Sequence, residues 1–222
     1  MSMTGLVIFD NDGTLVDSEP IANEALAESF REFGIVMTGQ DAQAKFVGQH
    51  MSKIVCWIEA QTGLEVPVSW VSQYNERLMD KLSTDLHPTP HIESTINQLL
   101  ETGFAICVAS QSSPERIKLS LQKVGLFTYF KNAIFSASYV KRPKPNPDLF
   151  EFAAAKMNFK PEDCLVVEDS AAGLSAGRAA KMQTILFDGL HSRHQNFEPS
   201  DFVHRISDIR ELLNLVVPSV TH

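Results

Sequence analysis

From residue 6 onward, short apolar runs alternate with stretches in which apolar residues recur three and four apart. This is the pattern of a parallel sheet whose strands are joined by crossover helices. Residues 6–9, 105–109, 133–136, 164–167 and 184–187 read as strands. Between them, Ile92, Ile96, Leu99 and Leu100 fall at helical spacing, as do Ile117, Leu121 and Val124, and Leu149, Phe150, Ala153 and Met157. Gly103 and Gly125 stand where C-terminal glycines belong. Ser113-Pro114 and Asn146-Pro147 each read as an N-cap followed by proline at the first helical position. The expected fold class is α/β.

The alternation breaks once. Between Leu15 and Leu86 only helical periodicity is found, as in Leu26, Phe30 and Phe33, or Trp70, Tyr74, Leu78 and Leu82. The expected organisation is a sheet domain of residues 1–14 and 87–222 with a helical domain, residues 15–86, inserted after the first strand. The insert carries five basic and eleven acidic residues, net −6 of the chain's −8. Its exit, His87-Pro88-Thr89-Pro90, has the proline density of a hinge or linker. No internal repeat and no low-complexity segment is present.

Composition removes several functional classes. A charged fraction of 21% with 44% hydrophobic residues is ordinary for a folded globular protein. No apolar stretch approaches the roughly 20 residues that cross a bilayer; residues 104–109 form one of the longest. The first basic residue is Arg31, so the positive region of a secretory signal or transit peptide is not expected, and a cytoplasmic location is. The acidic balance argues against nucleic acid as a partner. Cys56, Cys107 and Cys164 are widely spaced and odd in number, which argues against a disulfide framework or a zinc knuckle. Cys107 and Cys164 lie in apolar runs and read as small buried side chains. His191 and His194, three apart, are the most closely spaced histidines, and their surroundings read as a polar loop rather than a metal site.

The chemistry concentrates at strand ends. The first strand runs into Asp10-Asn11-Asp12-Gly13-Thr14, which puts two carboxylates, two residues apart, at the carboxyl end of a buried strand. Ligand sites of open α/β sheets lie in that crevice. A lone Asp-Gly after a strand is an ordinary solvated turn. The pattern Asp-x-Asp-Gly-Thr within this string, by contrast, is expected by chance in on the order of one chain in several hundred. The second strand ends in Ser110-Gln111-Ser112, whose hydroxyl and backbone N–H groups at the mouth of a helix suit an anion, although a plain helix cap would look the same. Lys144 stands in Lys141-Arg142-Pro143-Lys144-Pro145-Asn146-Pro147, a cationic loop stiffened by three prolines. The fourth strand ends in Glu168-Asp169-Ser170, before a helix of small residues. Two acidic pairs at neighbouring strand ends are costly without a cation between them.

Taken in order, Asp-x-Asp-Gly-Thr-Leu-Val-Asp-Ser, a helical insert, a strand-ending Ser, Lys-Pro-x-Pro-Asp-x-Phe and Glu-Asp-Ser resemble the haloacid dehalogenase superfamily. The resemblance is greatest to its small sugar-phosphate phosphatases and beta-phosphoglucomutases, whose helical cap follows the first strand. It implies a Rossmann-like core and a magnesium-dependent hydrolysis of a small phosphorylated metabolite by a monomer. Asp10 would be the nucleophile, and Asp12 the acid for the leaving alcohol and then the base for water. Ser110 and Lys144 would hold the phosphoryl oxygens, with Gln111 beside them. Magnesium would bind the Asp10 carboxylate, the Asp12 carbonyl and Asp169, with Glu168 behind them and paired to Lys144. The sequence departs from the family pattern at Pro143, where glycine is usual, and at Gln111, where asparagine is common.

The cap is expected to exclude water and to choose the leaving group. Lys45, Gln49, His50 and Lys53, around Gly48 near a helix start, are candidates for the substrate's polar end; a solvated helix start would look the same. Mutases of the resembling branch carry a histidine on the first cap helix that restrains the acid/base residue. Here the matching position is Ala22, which can neither donate nor accept a side-chain hydrogen bond; without that restraint, phosphate release is expected to outrun phosphate return to sugar. A mutase and a non-catalytic binding protein of the same fold are the alternatives. A dehalogenase is disfavoured, since that branch lacks the second aspartate and the metal.

Overall fold

The computed structural model of the protein describes residues 5–46, 48–190, 197 and 202–216. The chain divides into two compact units, Met1–Asp17 with His87–His222, and Ser18–Leu86. The His191 and His194 pair lies outside the described residues.

The first unit is built on a six-stranded, wholly parallel sheet of β1 (Gly5–Phe9), β2 (Phe104–Ser110), β3 (Ile134–Ser136), β4 (Cys164–Glu168), β5 (Gln183–Phe187) and β6 (His204–Ile206). Their order is β3-β2-β1-β4-β5-β6. The chain therefore winds outward to one side from β1, returns, and winds to the other. The carboxyl ends of β1, β2 and β4 lie side by side where the direction reverses, which is where such sheets bind ligands. All five residues of β1 and of β4 are buried, because helices cover both sheet faces and each strand must be apolar on both sides. One face packs Leu6, Ile8, Cys107 and Val166 against Leu149, Phe150 and Ala153. Phe9 meets Phe130 edge to face at 6.4 Å between ring centroids.

Among the described residues the α-helices in chain order are α1 (Glu19–Phe30), α2 (Gly39–Phe46), α3 (Met51–Thr62), α4 (Trp70–Asp85), α5 (Ile92–Glu101), α6 (Pro114–Lys123), α7 (Phe127–Phe130), α8 (Asp148–Lys156), α9 (Ala171–Ala179) and α10 (Glu211–Val216). Ser113 caps α6, its hydroxyl accepting from the Arg116 N–H at 3.3 Å. The second expected cap differs. Helix α8 starts at Asp148 after Pro147, and the Asn146 side-chain amide instead donates to the Pro143 carbonyl at 3.1 Å, inside the proline loop. Leu100 also departs from expectation: α5 buries Ile92, Ile96 and Leu99 and leaves Leu100 exposed. Strand β6 carries no apolar run. Its pattern of two exposed residues and one buried gives periodicity nothing to register, and it is held by pairing along β5.

The junction between the units differs from the expected boundary and from a free linker. Leu15, Val16 and Asp17 belong to the first unit. Gly13, in the left-handed region at φ 83°, lets the chain turn back so that its N–H reaches the Val16 carbonyl. The His87–Pro90 stretch is tied to this segment. The Asp17 N–H donates to the His87 carbonyl, the Thr89 N–H to the Leu15 carbonyl, and the buried Thr89 hydroxyl to the Thr14 carbonyl at 2.6 Å. Proline density marks a fixed, hydrogen-bonded return here.

The second unit comprises α1 to α4. Phe30 sits at its centre, with Phe46, Trp57 and Trp70 ring centroids 5.4, 5.7 and 6.2 Å away. Arg77 reaches Glu32 at 3.0 Å and the Ser29 hydroxyl, and Lys81 reaches Glu28 at 2.8 Å. These pairs tie α4 to α1 and to the turn after it.

Candidate active site

Asp10 continues β1 by one residue, its N–H donating to the Val167 carbonyl of β4. Its side chain therefore emerges beside the end of β4, where Glu168 and Asp169 lie. Lys144 arrives from the loop between β3 and α8 with its side chain only 1% exposed. Its Nζ donates to Asp10 Oδ1 at 2.7 Å, to Glu168 Oε1 at 2.6 Å and to the Ala109 carbonyl at 2.9 Å. It also lies 4.8 Å from the Phe150 ring centroid. A buried ammonium has three protons to place, and all three acceptors are supplied. Burial pushes toward a neutral lysine, but the charges of Asp10 and Glu168 outweigh it and hold Lys144 above its ordinary value.

The carboxyls are not balanced in return. Asp10 is pushed up to about 7: burial raises it most, Lys144 pulls it down, and Glu168 and Asp12 add to the rise. One ammonium is shared between two buried carboxylates, and the Asp169 carboxyl is buried at the same strand end as Glu168. Carboxylate and carbonyl oxygens gathered in this way are donors of the kind that suit a hard divalent cation. Among the described residues no three His, Cys, Asp or Glu side chains converge as a metal cluster. Two carboxylates and a main-chain carbonyl make a different donor set, and the raised Asp10 fits it, since burial and its carboxyl neighbours disfavour the anion that a cation would stabilise.

Glu168 is held by the start of α9. Its Oε2 accepts from the Asp169 N–H at 3.0 Å, the Ser170 N–H at 2.9 Å and the Ser170 hydroxyl at 2.8 Å. A carboxylate at a helix N-terminus is favoured by the orphan N–H groups and the helix dipole. The close approach requires Gly173, where a Cβ would come within 1.9 Å of the Glu168 carboxyl. Ser170 completes the turn by accepting from the Gly173 N–H at 3.1 Å. The small-residue composition of this helix is the sequence signal for that approach.

Asp12 has different surroundings. Its side chain is 20% exposed, against 9% for Asp10. Its Oδ2 accepts from the Ser112 hydroxyl at 2.7 Å, and its Oδ1 pairs with Arg116 Nη2 at 2.7 Å. Ala22 lacks the histidine restraint, but residues after β2 hold the Asp12 carboxyl. The sequence reading passed over Arg116. A cation in the first turn of a helix opposes the dipole, and that anomaly was the available signal.

Ser110, at the end of β2, is buried, and its hydroxyl accepts from the Ser112 N–H at 3.2 Å. Gln111 is exposed. Among the loop cations around Lys144, Arg142 is engaged by Asp148 at 2.8 and 3.1 Å.

The structure thus brings Asp10, Lys144 and Glu168 into direct contact, with Asp12, Ser110 and Asp169 at the same strand ends. The other candidates belong to the second unit, and all are exposed. His50 precedes α3 and Lys53 lies in its first turn. Lys45 instead lies in the last turn of α2, its Nζ 4.7 Å from the Trp57 ring centroid, and Gln49 donates to the Lys45 carbonyl at 2.9 Å.

No helix among the described residues is long and apolar enough to cross a membrane. The profile of the haloacid dehalogenase-like hydrolases matches residues 7–187. The 6-phosphogluconate phosphatase of Escherichia coli is 31% identical over 188 residues, covering 84% of each chain. The fructose-1-phosphate phosphatase YqaB of the same organism is 29% identical over 185 residues, 81% of this chain and 94% of that one. A solved haloacid dehalogenase-like protein from Agrobacterium tumefaciens superposes with a TM-score of 0.82 at 29% identity, covering 96% of this chain and 97% of that one. A match spanning most of the chain, over a parallel sheet with Asp10 and Asp12 at the end of its central strand, establishes that the chain belongs to the haloacid dehalogenase-like hydrolases, among relatives named as sugar-phosphate phosphatases.

Proposed function

We propose that the protein hydrolyses a small phosphate monoester, a sugar phosphate, through a phosphoryl group carried on Asp10. One observation supports this above the others: two carboxyls two residues apart stand in opposite surroundings. Asp10 is dry and bound to a buried lysine; Asp12 is partly exposed and held by Ser112 and Arg116. Carboxyl pairs whose environments differ in this way divide the roles of nucleophile and proton carrier.

Asp10 attacks phosphorus as the ester P–O bond breaks, and the Asp12 carboxyl gives its proton to the departing alcohol oxygen. A water then attacks the phosphoryl group on Asp10 while Asp12, now a carboxylate, takes a proton from it. The Asp10–phosphorus bond breaks and inorganic phosphate leaves. Lys144 offsets charge on the transferring oxygens, joined by the Ser110 hydroxyl. Glu168 keeps Lys144 in place. The Asp10 carboxylate, the Asp12 carbonyl and Asp169 would hold magnesium, which supplies positive charge so that a carboxylate can approach an anionic ester. The names of the similar phosphatases support the sugar-phosphate class.

The experiment is a panel of phosphate monoesters offered to purified protein with magnesium and with excess chelator after metal-free preparation. Phosphate release from sugar phosphates that the chelator abolishes is expected; undiminished release in chelator would overturn the reading. Isomerised sugar phosphate forming faster than free phosphate, with the bisphosphate supplied, would favour a mutase.

A further inference from the structure

Asp12 is gripped from two directions by residues that the catalytic scheme does not use. Arg116, 104 residues away in sequence, pairs with one carboxyl oxygen at 2.7 Å. Ser112 donates to the other at 2.7 Å. Neither residue is loosely placed. The Ser112 carbonyl accepts from the Ser136 hydroxyl at 2.7 Å, which anchors the loop after β2 to the end of β3. Arg116 is the third residue of α6, on the turn that Ser113 caps. A guanidinium in a first helical turn is disfavoured by the helix dipole. The ion pair with Asp12 offsets this, and the Arg116 side chain is only 24% exposed. Contacts on both oxygens remove rotation of the carboxyl plane, the freedom that a proton carrier must lose before its proton faces one atom.

We infer that Arg116, together with Ser112, is a positioning pair that fixes the Asp12 carboxyl for proton transfer to the leaving oxygen. The inference rests on the reading of Asp12 as acid and base. Arg116 acts through Asp12, whose carboxyl oxygen it holds.

A positioning role for the acid predicts a dependence on the leaving group. Phenyl phosphate expels a basic phenoxide that needs the Asp12 proton; 2,4-dinitrophenyl phosphate expels an anion that hardly does. The constant kcat/KM covers the steps up to release of the phenol, so the ratio of kcat/KM for the two esters reads proton delivery alone. Arg116→Met is expected to lower kcat/KM for both and the phenyl-to-dinitrophenyl ratio by about tenfold. Arg116→Lys should restore part of the ratio, and Ser112→Ala should lower it by a few fold, keeping the test available if Arg116→Met folds poorly. Rates that fall equally for both esters in Arg116→Met and Ser112→Ala mark a merely structural role and overturn the inference. Asp12→Asn, measured in parallel, separates the two levels. A collapsed ratio there with an unchanged ratio in Arg116→Met refutes only the positioning pair. An unchanged ratio in Asp12→Asn refutes the acid/base assignment beneath it.

Discussion

Lys144 and Lys45 show how differently the two units treat a lysine. Lys144 is buried at the end of the sheet, every donor engaged, and shared between two carboxylates. Lys45 is exposed on α2, its ammonium over the face of Trp57. The first arrangement is costly to build. An ammonium in a dry interior is tolerated only where charge and geometry are complete, so little besides chemistry accounts for it. The second costs almost nothing, since an exposed cation–π contact contributes about 0.5–1 kcal/mol and leaves the head group in water. Sites that are expensive to fold announce themselves, whereas sites for choosing a substrate can be assembled from cheap surface residues that resemble any helix.

The largest effect is expected where the buried cluster itself loses its reacting atom. Asp10→Asn should lower turnover by at least about a thousandfold and leave no phosphate on the protein. Asp12→Asn with 2,4-dinitrophenyl phosphate should instead accumulate phosphate on Asp10. Mass spectrometry finding the label on Ser110, and none on Asp10, would contradict both roles.

Lys144→Met breaks the comparison most directly. It leaves Asp10 and Glu168 buried without their counter-charge, and removing one member of a buried pair costs about 3–5 kcal/mol. Urea denaturation should show that loss together with loss of turnover; a variant as stable as wild type would mean that the cluster is wetter than the geometry indicates. Gly173→Ala acts one contact further out. Its Cβ would meet the Glu168 carboxyl, so Glu168 must move from Lys144, at a cost of about 1–3 kcal/mol. Unchanged melting and unchanged activity would contradict the close approach.

Charge imbalance gives a smaller effect with a definite sign. Asp10 is raised from 3.8 to about 7 in the folded, metal-free chain. Between those values the native state keeps a proton that the unfolded state has lost, so this group's contribution falls as pH rises through the window and is constant above it. Magnesium binds the deprotonated carboxylate, so its stabilisation grows over the same window. The check is the melting temperature of chelator-treated wild type and Asp10→Asn at pH 5 and pH 8, with and without magnesium. A magnesium-induced rise that is larger at pH 5, or equal in the two proteins, would contradict the assignment.

The smallest effects belong to the second unit. Lys45→Ala and Lys53→Ala should leave the melting temperature within about a degree or two, because exposed charges contribute little to stability. Any change in activity should fall on KM for sugar phosphates, by a few fold, and spare kcat for nitrophenyl phosphate. A large loss of kcat would place these residues nearer the chemistry than their surface positions suggest.

Where the sequence was legible, a strong local rule was at work. Five strands were visible because a strand covered on both faces must be apolar throughout, whereas β6, at the sheet edge with one buried residue, had no such obligation. Asp10 and Asp12 were visible because adjacent carboxyls at the end of a buried strand have no structural purpose. Arg116 stands out only as a cation in a first helical turn, and nothing in the linear text tells that this helix start folds onto a turn 104 residues earlier. The hydrogen bonds of the His87–Pro90 return were hidden for a similar reason: proline density says where a chain is stiff, while bonds to the Thr14–Asp17 segment depend on a partner across the fold.

By itself, then, the sequence determined the α/β class, the helical insert and the chemical identity of the strand-end residues, because periodicity and strand ends are local properties. Tertiary structure alone decided which charges meet: Lys144 between Asp10 and Glu168, Arg116 on Asp12, Glu168 in the space left by Gly173. The physical reason is that Coulomb and hydrogen-bond energies act at about 3 Å between atoms, a separation with no counterpart in distance along the chain.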